Sequence, residues 1–135
     1  MANPNIVNVT SIYGNTAYVI PSSAATATTS WTYNGTTSLT GLTPAANTVN
    51  RVTSITAANT TSSAATATIA VGNNATFGSA TVITYPAYQI SVPANSTLVI
   101  VDKTNSLYIT ENQSVAAYSG TASALTFTAT FEAIT

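Results

Sequence analysis

The chain lacks cysteine and histidine, and it has few charged residues. Without cysteine, neither a disulfide bond nor a thiolate zinc site can hold the fold. Its two cationic residues are too few to follow a phosphate backbone or to form a basic membrane-binding face. We therefore expect neither a nucleic acid nor a membrane as a partner. A net charge of −1 gives little repulsion between copies, so we expect a homo-oligomer.

The same absences restrict catalysis. A nucleophile needs a neighbouring base, and without histidine or cysteine the candidates are Asp102, Lys103, Glu111 and Glu132. Asp102 and Lys103 fall in a predicted tight turn, where both side chains would be solvated. Glu111 and Glu132 could form a glycosidase-like pair only if folding brings them together. We predict that the protein is not an enzyme and has no catalytic residues, no cofactor and no metal site, since the acids do not cluster.

Long apolar segments are also missing. Residues 1–5 have neither the charged nor the apolar region of a secretory signal, and the longest apolar run, 98–101, is too short to span a bilayer. We expect the protein to be made in a cytoplasm.

What the sequence does contain is the alternation typical of β-strands. From Leu125 onwards, apolar side chains alternate with threonines and Glu132, a period of two that only a half-buried strand satisfies. The outward positions carry hydroxyls where a solvated strand would carry charges, and charged residues make up 4% of the chain against a typical value of about 25%. This pattern favours a surface that is covered by other protein.

The alternation and the turn residues predict an all-β protein of one domain, residues 1–135, with little or no helix. The expected architecture is an antiparallel β-sandwich, jelly-roll or Ig-like. Pro86 predicts an edge strand or a bend, and two segments predict turns, Tyr13-Gly14-Asn15 and Asn34-Gly35. Strands 49–58 and 65–71 are predicted to form a hairpin. The predicted strands are residues 5–12, 18–20, 26–33, 49–58, 65–71, 82–85, 88–92, 97–101, 107–110, 115–118 and the strand that begins at 125.

Two groups of residues suggest a contact surface. Trp31 and Tyr33 share one face of a predicted strand, and Tyr85 and Tyr88 flank Pro86; such aromatics stack on sugars or anchor protein partners when exposed. Packing inside the core is the alternative for each of them. The Thr-x-Thr segments, at 26–28, 66–68 and 126–130, resemble ice-binding arrays, but no fixed period links them.

Several segments resemble small virion structural proteins of tailed phages, particularly phages of marine cyanobacteria. In those proteins the turn after the proline strand often carries Ala-Gly where this chain has Asn95, and a later turn often carries Glu-Gly-Asp where it has Asn112-Gln113. The matching segments are Met1 to Gly14, Val49-x-x-Val52-x-x-Ile55 with Ala58-Asn59, Ser91 to Ile100, and Leu107-Tyr108-Ile109 with Glu111 to Val115.

The resemblance implies a non-enzymatic β-sandwich component of a virion, made in the host cytoplasm. We expect a capsid decoration or cement protein whose main partner is the major capsid protein. A tail, neck or fibre subunit and a glycan-binding adhesion module are the alternatives. Residues 1–14 are expected to be a docking arm or a first strand. The candidate interface residues are Ile6, Val7, Val9, Ile12, Tyr13, Trp31 and Tyr33.

Overall fold

The computed structural model describes residues 8–33 and 35–135, which contain ten strands and two short 3₁₀ turns. The 3₁₀ turns are Phe77–Ser79 and Lys103–Asn105. No helix in these ranges is long and apolar enough to cross a membrane. The strands are β1 (Ile12–Val19), β2 (Ser30–Tyr33), β3 (Thr37–Thr40), β4 (Val49–Asn59), β5 (Ala65–Gly72), β6 (Val82–Val92), β7 (Thr97–Val101), β8 (Leu107–Ile109), β9 (Ser114–Ser119) and β10 (Leu125–Ile134).

The strands form two antiparallel sheets, which confirms the predicted all-β sandwich. The large sheet has seven strands in the order β3-β2-β1-β10-β4-β7, with β8 also paired to β4. The small sheet has three strands in the order β6-β5-β9. The chain passes between the sheets at the β4–β5, β6–β7, β8–β9 and β9–β10 connections.

The core lies between the two sheets, and the alternation of β10 supplies its centre. Leu125, Phe127, Ala129 and Phe131 are buried, whereas the threonines between them are half-buried on the opposite face. Because β10 pairs with β1 on one side and β4 on the other, its backbone is hydrogen-bonded along both edges. The predicted orientation of this strand is confirmed.

The first predicted strand and turn do not match the structure. Strand β1 starts at Ile12, where the predicted strand ended, and it runs through the predicted turn at 13–15. Gly14 and Asn15 are extended and pair with Glu132 and Phe131 of β10. Ten residues of β10 offer a continuous template, and pairing to it overrides the local turn preference.

The predicted hairpin of 49–58 with 65–71 is also wrong. Both strands exist, but β4 belongs to the large sheet and β5 to the small one, so the loop between them turns a corner of the sandwich. The buried Asn59 side chain fixes this corner: its amide nitrogen donates to the carbonyl oxygens of Ser63 and Val92 at 2.9 and 3.0 Å. Its oxygen accepts from the backbone N–H of Thr61 at 3.0 Å. A local turn between paired strands would not need these contacts.

Proline 86 lies where the sequence predicts, on an edge. The two predicted strands on either side of it form one strand, β6, at the edge of the small sheet. The Asn34-Gly35 reversal is consistent with the pairing of Tyr33 to Thr37 and with the positive φ of Gly35, 78°. Asn34 itself lies outside the described residues.

Candidate functional site

The outer face of the large sheet carries hydroxyl side chains in register, and we call it the hydroxyl face. Thr16, Thr130 and Ser54 form one row of it, in which the Ser54 and Thr130 hydroxyls are 2.7 Å apart. Each residue of a second row lies opposite the next one on the neighbouring strand. This row crosses the sheet from β3 to β7 through Ser38, Thr32, Tyr18, Thr128, Thr56 and Val99.

Charge on the hydroxyl face is confined to one end. The Arg51 Nη1 and Glu132 Oε2 atoms are 3.5 Å apart, and Tyr108 lies opposite Arg51 on β8. Both charged side chains are more than one-third exposed, so this ion pair contributes little to stability. The remainder of the face therefore meets its surroundings through hydroxyl and apolar groups.

Large apolar side chains project from the hydroxyl face. Val99 is 60% exposed, Tyr108 53% and Tyr18 43%. Centres of protein interfaces are depleted in charge and enriched in aromatic residues, and this face has both properties. Its chemistry suits contact with another protein surface.

The predicted docking segment lies partly outside the described residues, which exclude Ile6 and Val7. Val9 is half-buried, and the Thr10 N–H donates to the Thr135 carbonyl oxygen at 2.7 Å. Ile12 and Tyr13 are exposed at the start of β1. The described part is thus tied to the end of the chain by its backbone, and it presents two apolar side chains to solvent.

Trp31 does not take part in an exposed surface. The prediction of a Trp31 contact with a partner is wrong, because its side chain is fully buried between the sheets. Its indole N–H donates to the Val115 carbonyl oxygen at 3.2 Å, which links β2 of the large sheet to β9 of the small one. Tyr33 is half-buried and packs edge-to-face on Phe131, with ring centroids 6.5 Å apart.

The Thr-x-Thr segments do not form one array. Thr26 and Thr28 lie in the loop before β2, Thr66 and Thr68 lie on the small sheet, and the segment from residue 126 to 130 lies on the large sheet. The structure thus separates the segments on which an ice-binding array would depend.

A groove of about 230 Å³ lies on the outer face of the small sheet, and we call it the tyrosine groove. Tyr118 of β9 lies opposite Thr68 of β5, and the Gln89 backbone N–H donates to the Thr68 hydroxyl at 2.8 Å. The Tyr85 and Tyr88 rings pack edge-to-face with centroids 5.0 Å apart. The side chains that shape the groove are Thr66, Thr68, Tyr85, Tyr88, Gln89 and Tyr118.

Irregular pairing places Tyr85 and Tyr88 together. Residues three apart point to opposite faces of a regular strand, but the β5–β6 register shifts three times. One shift falls opposite the stretch from Ala87 to Ile90, where Gln89 has a positive φ of 50°. Each bulge adds a residue to one strand and re-aims the side chains that follow. The sequence showed the two tyrosines but not these bulges.

Tyr118 was not singled out from the sequence. It is the one half-buried residue of β9, whose other residues are buried serine, valine and alanine, and its ring packs edge-to-face on Phe77 with ring centroids 6.4 Å apart. Burial, followed by repulsion from Tyr85, raises the pKa of the Tyr118 phenol above its ordinary value of 10.0. The phenol therefore stays protonated at neutral pH and can donate a hydrogen bond.

The carboxylates have separate local partners. Glu132 faces Arg51, and Glu111 accepts a hydrogen bond from the Asn47 N–H at 3.3 Å. Asp102 caps the 3₁₀ turn that follows it by accepting from the Thr104 N–H at 2.8 Å, and hydrogen bonds from Thr104 lower the pKa of its carboxyl. Within residues 8–33 and 35–135, no three acidic side chains gather in a group that could hold a metal ion.

Comparison with protein-family models, with curated proteins and with solved structures finds no match for this chain.

Proposed function

We propose that the protein is a non-enzymatic structural subunit of a virus particle, attached to the outside of the capsid as a decoration or cement protein. The observation that carries the proposal is the hydroxyl face, a broad, charge-poor sheet surface with exposed Tyr18, Val99 and Tyr108. The resemblance of several sequence segments to phage virion proteins supports the choice of a particle.

The physical role follows from mass action. A subunit that binds the assembled shell, and not the free shell protein, stabilises the shell in proportion to the logarithm of its concentration over its dissociation constant. Hydroxyl rows and scattered apolar side chains provide many weak contacts in place of a few strong ion pairs. Such contacts depend little on salt, because no charged pair dominates the surface.

The copy number of the chain in purified virions tests the proposed position. Quantitative mass spectrometry should find copies in proportion to the major capsid protein, and cryo-electron microscopy should place them on the outer shell. A small fixed number of copies located in the tail, neck or fibre would overturn decoration and support the alternative subunit role. Absence of the chain from particles would overturn both roles.

A charge placed on the hydroxyl face tests the surface. Val99→Lys puts an ammonium group on the β7 side of the proposed contact, where its desolvation is unfavourable. We expect this variant to fold but to lose binding to decoration-free capsids in a co-sedimentation assay. Ile83→Lys is the matched control, since Ile83 is 52% exposed on the small sheet. Equal binding by both variants would contradict the assignment of this face.

A further inference from the structure

We propose that the tyrosine groove binds one neutral pyranose unit of a carbohydrate. None of the groove residues belongs to the hydroxyl face, so the inference stands or falls independently of that face and of the particle role.

The size of the groove fits a single sugar ring. Its volume of about 230 Å³ lies below the roughly 300–1,000 Å³ of sites for drug-sized ligands. The groove is compact, because Tyr118 bounds it on the β9 side and the Tyr85–Tyr88 pair bounds it on the β6 side. A single ring occupies such a space, whereas an extended peptide needs a longer channel.

The chemistry of the lining matches the two kinds of surface that a pyranose presents. The face of a tyrosine ring is electron-rich and attracts the C–H groups of a sugar ring. Tyr85 and Tyr88 are 48% and 58% exposed, so their rings are accessible. The hydroxyl groups of Thr66 and Thr68 and the amide of Gln89 can exchange hydrogen bonds with the sugar hydroxyls.

The absence of charge in the lining selects a neutral sugar. None of the chain's five charged residues is among the residues that line the groove. An acidic sugar would lose hydration of its carboxylate and gain no cation in return. Uronic acids, sulfated sugars and phosphorylated sugars should therefore bind less well than neutral ones.

The groove is organised before any ligand binds. The Thr68 hydroxyl accepts the Gln89 backbone N–H, so its own proton remains available to a ligand. The Gly120 N–H donates to the Thr66 carbonyl oxygen at 2.8 Å, and a Cβ at position 120 would overlap the Thr66 hydroxyl. The first bond fixes the Thr68 hydroxyl and the second fixes the backbone at Thr66, so less freedom is lost when a ligand binds.

Saturation-transfer NMR and calorimetric titration with methyl glycosides test the proposal. The probes are the methyl glycosides of glucose, galactose and mannose, with methyl glucuronide as the charged comparison. We expect at least one neutral glycoside to receive saturation and the glucuronide to bind more weakly. Failure of all neutral glycosides, or a preference for the glucuronide, would overturn the assignment.

Variants locate the binding. Tyr88→Ala removes one exposed ring and should weaken the binding of the best glycoside about tenfold, the upper range expected for one aromatic contact. Tyr108→Ala is the matched control, because it removes a 53% exposed tyrosine from the opposite sheet. Circular dichroism checks that both variants fold. Equal affinity of the two variants would place the sugar elsewhere and overturn the proposal.

Two further titrations identify the natural form of the ligand. The first titration uses an oligosaccharide of the same sugar, which should bind at least as tightly as the glycoside. Tighter binding would show that the natural ligand is a sugar unit within a glycan chain. Equal binding would show that it is the free sugar. The second titration uses a proline-rich peptide, because aromatic grooves also bind such peptides. Displacement of the glycoside by this peptide at lower concentration would overturn the choice of a carbohydrate.

Discussion

At the scale of single residues, buried asparagine side chains fix the loops that connect the strands. The Asn59 amide donates one hydrogen bond to the β4–β5 loop and another to the end of β6. The Asn50 amide donates to the Leu42 carbonyl oxygen at 2.9 Å and so fixes the loop between β3 and β4. Both side chains are buried, so the groups they bond have no water to replace them.

Asn59→Ala should lower the free energy of unfolding by about 1–3 kcal/mol, the cost of leaving buried hydrogen-bonding groups without partners. Urea unfolding followed by circular dichroism measures it. Asn112→Ala is the control, because Asn112 is exposed in the turn before β9. If the two variants unfold at the same urea concentration, the corner does not depend on Asn59.

Gly41 is required by its surroundings as well as by its backbone. Its φ is 63°, and a Cβ at this position would lie 2.6 Å from the Ser114 Cβ. Gly35 also has a positive φ, 78°, but a Cβ there would meet nothing within 4 Å. An alanine at either position would be strained by the positive φ, but only an alanine at 41 would also clash with a neighbour. Comparing the two variants therefore isolates the effect of the clash.

Gly41→Ala should therefore destabilise the protein by about 1–3 kcal/mol more than Gly35→Ala, because only the first overpacks the interior. Thermal and urea unfolding of the two variants give the difference. A difference near zero would mean that the β9 backbone moves aside without cost.

At the scale of the elements, the strands differ in how completely their backbones are paired. Strand β10 is paired along both edges over most of its length, whereas β6 lies at an edge and its ladder is interrupted by three register shifts. The shifts twist the edge, which opposes its pairing with another chain. They also place the tyrosines that form the groove.

Hydrogen exchange should follow this pairing. Amides of β10 and β4 are expected to exchange only through global unfolding, and those of β6 through local opening at lower free energy. Hydrogen exchange followed by mass spectrometry or NMR measures the opening free energies of these strands. Protection of β6 equal to that of β10 would show that the bulged edge opens only with the whole domain.

At the scale of the whole molecule, the scarcity of ionisable groups governs the response to pH. The chain has no histidine and three carboxylate side chains. The folded-state pKa of Asp102 lies below 3.8, so its contribution is complete above that value and is lost as the pH falls through the folded pKa. The folded-state pKa of Tyr118 lies above 10.0, so its contribution is present below 10.0 and is lost as the pH rises through the folded pKa.

Stability should accordingly be flat between about pH 5 and 7, where no side chain of this composition titrates. It should decline below about pH 4 and above about pH 10. Urea midpoints across this range test the expectation, and Asp102→Asn should flatten the acid limb. A step in stability near pH 6 would contradict it.

The alternation in the sequence was enough to predict the fold class and the orientation of β10. A period of two is a local property of neighbouring residues, so it identified β10, β4, β5 and β7 with bounds close to those observed. The scarcity of charge at outward positions could also be predicted, because the composition of the chain does not depend on how its strands pair. The candidate surface was therefore predictable in its chemistry, although its rows across the sheet were not.

Three features could not be read from the sequence: which strands share a sheet, that Trp31 is buried, and that the tyrosines of β6 line one groove with Tyr118. These features depend on contacts between distant parts of the chain, such as the bond from Trp31 to Val115, 84 residues away. The corner between β4 and β5, predicted as a hairpin, is held by a hydrogen bond from Asn59 to the carbonyl oxygen of Val92, 33 residues later. Local preference fixes how a strand alternates, whereas its partner is chosen by burial and hydrogen bonding that exist only once the two sheets pack.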